Sequence, residues 1–442
     1  MLAVNRGSVA GFLILALLLI LTPALARDPG SMFGGGNFTN GRTDYDLQYA
    51  ALRAFGGSVI RMNLYPFWYY RNGSPSPEVV DDAVLQAYSY GVTPLLLFEY
   101  YGSYAEAGEL LGGYEKWYDI GRAFAVRFGP NSEWLLSNGV ENWGISVYAA
   151  MNEPDGERSI PKDEYRAALE GLADGVHSVD SSLRVIPGGF MAANARRDYT
   201  LAGYGLAIAD LLNEGKLHGI DLHTYYDVQY APMSSTYDFS AQSNFDSVKR
   251  ACGITRDISF YTTEFNFKQR VISEEAAARG LLTGIWDNLG VVKNDGSTPA
   301  TQYALAWNLF RENYEQFGLI ETLDPLVLNA RGRVLQTVLQ LTEGMAFEYL
   351  DPRGGGEYLL SGNGKLMWVW QNRVAWSSKR TRSYTVTGIP EGVTEIEVYN
   401  YEGLMRVVTT DGDESYRISD LPLEQTYMFL MRLCGTGEET GS

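Results

Sequence analysis

"ISVYAAMNEPDG", residues 145–156, is the stretch that decides how this chain is read. An apolar run stops abruptly at Asn152-Glu153-Pro154. A short apolar run closed by a turn signal reads as a buried strand. Pro154 has no N–H for a further ladder bond, so the strand ends and the chain turns. The strand therefore carries a carboxylate, Glu153, to its own C-terminal end.

Runs of the same kind recur on both sides. "SVIRMNL" (58–64), "TPLLLFEY" (93–100), "LRVIPGGF" (183–190), "GIDLHTYY" (219–226), "ISFYTTEF" (258–265) and "YALAWNLF" (303–310) read as buried strands. "MFGGGNF" (32–38) is a first strand weakened by its glycines. Amphipathic patterns lie between them. "SPEVVDDAVLQAYSYG" (76–91) has a Ser cap, Pro just inside and Gly at its stop. Residues 112–129, 161–179, 273–290 and 328–344 follow the same helical period, and 273–290 adds an acidic first turn after Ser273. The stretch 231–245 reads as a long loop.

Strand and helix alternate about eight times over roughly 310 residues, which predicts a parallel sheet under a helical layer. The α/β class is completed as a (β/α)8 TIM barrel over 31–342. A doubly wound open sheet is the alternative, but no early strand is followed by a glycine-rich dinucleotide loop. After Gly344 short alternating strands such as "KLMWVWQ" and "EIEVYNY" are separated by Gly, Asp and Asn turns. They predict a β-sandwich domain over 343–435, with 436–442 as a flexible tail.

The first residues differ from the rest. Arg6 precedes "VAGFLILALLLILTPALA" (9–26), which ends in Ala24-Leu25-Ala26. A basic start, an apolar middle and a small-x-small end read as a signal peptide over 1–26. An uncleaved membrane tether through 9–26 is the rival. Either way the expectation is an exported protein, secreted or periplasmic.

Across 442 residues the formal net charge is −18, which argues against nucleic acid or anionic lipid as the main partner. Cys252 and Cys434 are too few for a disulfide framework. His177, His218 and His223 have no neighbours at metal spacing, so neither a metal nor a cofactor is expected. Aromatic residues make up 13% of the chain, and several cluster beside polar turns, in "YPFWYY" (65–70) and "EYYG" (99–102). Aromatic planes stack on the C–H faces of sugar rings. Trp68, Tyr69, Tyr100, Tyr101 and Trp143 are candidate sugar platforms, with core packing as the alternative for each.

In a barrel, residues at the C-terminal strand ends line the active-site mouth. Glu153 ends the fourth strand and Glu264, in "ISFYTTEFNF", ends the seventh. Strands four and seven face each other across eight, so the two acids oppose each other over the mouth. Cleavage of a glycosidic bond needs two such carboxyls flanking it. Arg61 lies inside an apolar strand, where its charge is costly without an acid to pair with.

Asn-Glu-Pro after strand four with Glu after strand seven resembles the clan-A retaining glycoside hydrolases, over about 31–342 in the order of elements. The resemblance implies Glu153 as acid/base and Glu264 as nucleophile. It implies Arg61 as the arginine that keeps the nucleophile ionised and Asn152 as the contact to the sugar 2-hydroxyl. His223 and Tyr225 match the strand-six His-x-Tyr, whose tyrosine touches the nucleophile. Trp307 resembles the strand-eight tryptophan under the sugar ring, or is buried core. The segment from Gly318 onward, followed by a sandwich, is similar to the β-xylosidase and iduronidase family and to PslG-type exopolysaccharide glycosidases.

The expected activity is retaining hydrolysis of β-glycosidic bonds in a polysaccharide or oligosaccharide, endo action preferred. Two alternatives stand beside it. One is a non-catalytic polysaccharide-binding or assembly protein. The other is a transglycosylase using the same two glutamates.

Overall fold

The computed structural model describes residues 29, 33–38, 45–100, 113–155, 160–190, 203–226, 241–267, 273–308, 317–351, 356–372, 382–423 and 425–433. The expectations for residues 1–26, Tyr101, Cys434 and the tail lie outside these residues.

Eight strands alternate with eight longer helices. The strands are β1 (Phe33–Phe38), β2 (Val59–Leu64), β3 (Thr93–Phe98), β4 (Val147–Ala150), β5 (Arg184–Pro187), β6 (Gly219–Asp221), β7 (Ser259–Phe267) and β8 (Thr301–Ala306). The helices that follow them are α1 (Tyr45–Phe55), α2 (Asp81–Ser89), α3 (Tyr114–Phe128), α4 (Lys162–His177), α5 (Ala209–Glu214), α6 (Ala241–Cys252), α7 (Glu274–Leu289) and α8 (Ala330–Thr342). The strands pair in parallel in the order β5-β4-β3-β2-β1-β8-β7-β6. The two ends of this path also meet. His218 donates its N–H to the Val185 carbonyl at 2.9 Å, and Phe190 donates to Asp221 at 3.0 Å. Phe190 and Leu222 form a parallel bridge. The sheet is thus a ring, the TIM barrel expected from the alternation.

Strand periodicity separates an inner core from an outer one. On β3, Leu95 and Leu97 join Val59, Val147, Ala149, Ile186, Tyr261, Tyr303 and Leu305 inside the ring. Leu96 and Phe98 belong instead to the large cluster shared with the helices. Each such fully buried aliphatic side chain stabilises the fold by roughly 1.5–3 kcal/mol. The same alternation decides the polar layer above. Val59 points inward on β2 while Ile60, Met62 and Leu64 pack outward, so Arg61 and Asn63 point inward.

Local signals hold with two corrections. Ser273 caps α7 as expected, its Oγ accepting from Ala276 N–H at 3.1 Å. The helix predicted over 76–91 starts as a 3-10 turn, Pro77–Val80, and Ser76 makes no side-chain cap bond. The predicted loop 231–245 includes the start of α6, because Ala241, Phe245, Val248 and Cys252 share one buried face at helical spacing. Cys252 is a buried free thiol on that face.

Beyond α8 the chain forms β9 (Ala346–Asp351), β10 (Glu357–Gly362), β11 (Lys365–Asn372), β12 (Tyr384–Thr387), β13 (Glu395–Asn400), β14 (Gly403–Thr409), β15 (Ser415–Ile418) and β16 (Gln425–Arg432). Six of them make one antiparallel sheet in the order β9-β10-β11-β16-β13-β14, and β12 pairs with β15. A second core with Trp370, Val386, Ile396, Ile418 and Phe429 fills the space between the two layers. The sheet's other face rests on α7. Thr283 and Thr426 share a 2.8 Å hydroxyl bond, Gln371 donates to the Thr283 carbonyl at 3.1 Å, and Trp286 stacks on Tyr358. The sandwich thus seats itself on the barrel's flank.

Candidate active site

At the C-terminal end of the ring, directly above the inner core, the inward positions turn from apolar to ionisable. Arg61 and Asn63 come from β2, Glu99 follows β3, and Glu153 follows β4. Asp221 ends β6, His223 follows it, and Thr263 and Glu264 lie on β7.

Arg61 is fully buried, and its Nη2 donates to Glu264 Oε1 at 2.5 Å. Its Nη1 donates to Thr263 Oγ1 at 2.9 Å and reaches Asn152 Oδ1 at 3.4 Å. Tyr225 donates its hydroxyl to the other oxygen, Glu264 Oε2, at 2.6 Å. Burial by itself would raise the Glu264 carboxyl. His223, Arg61 and the Tyr225 hydrogen bond outweigh it and hold Glu264 below the usual carboxylate range. An ionised, buried carboxylate with both oxygens held is a poised nucleophile.

His223 lies between the two glutamates. Its Nδ1 is 2.7 Å from Glu153 Oε1 and 3.6 Å from Glu264 Oε2. Its Nε2 is 3.3 Å from Thr263 Oγ1. Burial opposes charge on the ring, but Glu264, then Glu153 and Asp221, raise it to about 9. The contacts agree with an imidazolium donating through both nitrogens. Thr263 can accept because its own hydroxyl proton goes to Asp221 Oδ2 at 2.6 Å.

Glu153 is presented by an unusual backbone. Met151 and Glu153 both have positive φ, 65° and 49°, on either side of Asn152. Left-handed conformations at non-glycine residues cost on the order of 1 kcal/mol each and concentrate at functional sites. The cost is offset here by the Glu153 N–H, which donates to the Gly189 carbonyl at 2.8 Å. Gly188 and Gly189 are fixed by space. A Cβ at Gly188 would lie 2.2 Å from the Met151 carbonyl oxygen, and one at Gly189 would lie 1.9 Å from His223 Nε2. The β4 and β5 ends can thus approach the histidine only with glycine there. One oxygen each of Glu153 and Glu264, with a His223 nitrogen, lie within 4.8 Å of one another.

Trp307 follows β8 half-buried, edge-on to Tyr225 with ring centres 6.1 Å apart. Its carbonyl accepts from the Asn266 side chain. Trp68 is half-buried on the short helix Pro66–Tyr69 after β2, and Tyr100 is half-buried after β3. Two candidate platforms are corrected. Tyr69 is fully buried, its ring against Phe98 and its hydroxyl donating to the Glu99 carbonyl at 3.0 Å, so no sugar reaches it. Trp143 precedes β4 at the barrel's opposite end, with its ring edge-on to Tyr88 of α2.

Four residues of the polar layer were not singled out from sequence: Asn63, Glu99, Asp221 and Thr263. Each carried a signal. Asn63 stands two residues after Arg61, on the same strand face. Glu99 ends an apolar strand just as Glu153 does. Asp221 is a charge inside "GIDLH", and Thr263 precedes the nucleophile candidate.

Two predictions arise here. Arg61→Met leaves Glu264 buried with one fewer cation. It should lose about 3–5 kcal/mol of stability, as broken buried pairs do. It should also move the acid limb of the kcat/KM profile to higher pH, since Glu264 loses a partner that keeps it low. Thermal denaturation and the pH profile check this. Second, His223 keeps its proton to about 9 in the fold against 6.5 for a free histidine. The stabilisation is therefore complete below about pH 6.5 and is lost as pH rises through about 9. The parent's melting temperature should fall more steeply over that window than that of His223→Gln; equal slopes would remove the assignment.

No family model and no curated protein sequence matches the chain. Solved structures do. A glucosidase from Croceicoccus marinus aligns over 93% of this chain and 98% of its own, with a TM-score of 0.63 at 13% identity. A family 39 glycoside hydrolase from Bacteroides cellulosilyticus WH2 aligns over 93% and 83%, with a TM-score of 0.59 at 16% identity. A monomeric β-xylosidase from Caulobacter crescentus CB15 aligns over 93% and 98%, with a TM-score of 0.58 at 12% identity. At such identities the likeness is one of fold: a barrel with a C-terminal sheet domain.

Proposed function

We propose that this chain is a retaining glycoside hydrolase acting on β-linked polysaccharides or oligosaccharides. The observation that carries the reading is the Glu153–Glu264 pair, with carboxylate oxygens no more than 4.8 Å apart at the mouth of the barrel. Retaining enzymes hold their carboxyls about 5–5.5 Å apart, and inverting enzymes leave about 6.5–9.5 Å for a water.

In the first step Glu264 attacks the anomeric carbon as the bond to the leaving oxygen breaks. Glu153 gives that oxygen its proton, so the sugar leaves as an alcohol and a glycosyl ester remains on Glu264. In the second step Glu153 takes a proton from water, whose oxygen displaces Glu264 and restores the original configuration. Glu153 Oε1 and His223 Nδ1 share a hydrogen bond, which fixes the orientation of the acid. Tyr225 and Arg61 hold Glu264 in line throughout. The fold of glucosidase and xylosidase structures supports the class of reaction. The aromatic residues near the mouth, Trp68, Tyr100 and Trp307, support a sugar-binding groove and endo action. Residues 1–26 support an exported enzyme.

The test is release of new reducing ends from β-glucans, xylans, mannans and bacterial exopolysaccharides by the full chain. Release from one polymer class, with a mixture of oligosaccharides formed early, is expected. Binding to a polymer without cleavage would instead favour the non-catalytic protein. Longer products in place of shorter ones would favour the transglycosylase.

A further inference from the structure

Glu99 and Asn63 form a second polar pair in the mouth that the two-carboxylate reaction does not use. Glu99 continues the inward series Leu95, Leu97 on β3, and Asn63 continues Val59, Arg61 on β2. Both therefore emerge into the layer that holds Arg61 and Glu264. Asn63 Nδ2 donates to Glu99 Oε1 at 2.7 Å. The Glu99 backbone is pinned at both ends, its N–H on the Leu64 carbonyl at 2.7 Å and its carbonyl under the Tyr69 hydroxyl at 3.0 Å. Glu99 is 2% exposed and Asn63 5%.

The pair is incomplete. Asn63 Oδ1 is buried with no hydrogen-bond partner among the described residues. The second oxygen of Glu99 accepts no bond among them either. A buried carbonyl oxygen without a donor costs about 1–3 kcal/mol, so Asn63 Oδ1 is held ready at a cost beside the open oxygen of Glu99. Burial pushes the Glu99 carboxyl up to about 7, Arg61 partly opposing it and Glu264 adding to it. Above about pH 7, where Glu99 is ionised, a donor arriving from outside would satisfy both atoms. An anion would meet Glu99 together with Glu153, Glu264 and Asp221, against two cations among the described residues of this network, Arg61 and His223.

We propose that Asn63 and Glu99 select the sugar bound at the reacting position for a hydrogen-bond donor, a hydroxyl or an amine, and reject a uronate there. This rests on the glycosidase reading above, and deepens it by naming the class of sugar. Glu99 and Asn63 act as specificity-determining residues, while Glu153 and Glu264 carry the chemistry. A site built to bond a donor group discriminates by factors of roughly 10⁴ against ligands that leave its polar atoms unpaired, so a measurable rank order follows.

The experiment compares kcat/KM of the full chain on 4-nitrophenyl β-glucoside, β-xyloside, β-glucosaminide and β-glucuronide, beside Glu99→Gln and Glu99→Asp. The parent should favour a neutral or amino glycoside over the glucuronide by at least about 100-fold. The glucoside and glucosaminide arms tell hydroxyl from amine. Glu99→Gln should narrow the gap at least about tenfold, mainly through KM, with Glu99→Asp intermediate. A uniform loss on all four glycosides, or no change on any, would mark Glu99 as structural and overturn the proposal. So would a parent that prefers the glucuronide. Titration calorimetry with the methyl β-glycosides separates the two readings. If neither the four glycosides nor the polymers are hydrolysed but methyl glucoside binds and methyl glucuronide does not, the hydrolase reading fails and the selection stands. If both bind alike, or neither binds, the selection fails.

Discussion

Glu264→Gln should abolish turnover, by about four orders of magnitude or more in kcat, because it removes the atom that forms the covalent ester. The amide keeps the shape of the side chain but not its charge. Arg61 and His223 then face each other without the anion that binds both, 2.5 Å from one and 3.6 Å from the other. Circular dichroism must therefore confirm that the variant folds. A smaller replacement gives a sharper signature. In Glu264→Gly, azide can enter the vacated space and attack the anomeric carbon directly, inverting it. An activated β-glycoside should then yield the α-glycosyl azide and regain part of the rate. Full activity in Glu264→Gln, or a β-azide from Glu264→Gly, would remove Glu264 from the nucleophile's role.

Glu153→Ala should behave differently. Loss of general acid help costs typically 10²–10⁴-fold, and the cost follows how much the leaving oxygen needs a proton. A 2,4-dinitrophenyl glycoside needs little, so its first step should be nearly normal and the glycosyl ester should accumulate. A natural sugar leaving group should be slowed by the full factor. Azide, which needs no base, should speed release and give the β-glycosyl azide. The two variants thus predict azides of opposite configuration from one substrate. Equal loss on good and poor leaving groups would contradict the role of Glu153. His223 complicates the variant in a predictable way. Its Nδ1 loses the 2.7 Å bond to Glu153, so its proton should be held less tightly.

The barrel was legible because eight apolar runs recur along about 300 residues with helical patterns between most of them, and several carry a polar residue at or near their ends. Those ends located Glu153, Glu264, Arg61, His223 and Tyr225, and the structure brings all five within one connected network. The rest was hidden for physical reasons. Glu99 was masked by the aromatic residues after it, which drew attention to stacking and away from the carboxylate. Tyr69 sits in an aromatic cluster on a turn, and only the fold shows its ring turned into the core. Trp143 precedes the strand that leads to Glu153, on its N-terminal side, and strand direction decides which end faces the mouth. The glycine pair in "IPGGF" (186–190) was read as part of a buried strand; the clearance that Gly189 gives His223 depends on a residue more than thirty positions away. Helix α6 was hidden because its apolar residues are few and separated by Gln, Ser and Asn.

The measurement that tests the account most directly is the configuration of the first product. Proton NMR of the fresh digest, on whichever β-linked substrate the chain cleaves, resolves the anomeric signals before mutarotation mixes them. The geometry of Glu153 and Glu264 predicts that the β anomer appears first and the α anomer only later. An α anomer formed first would mean a single displacement by water, and would contradict the covalent ester on Glu264.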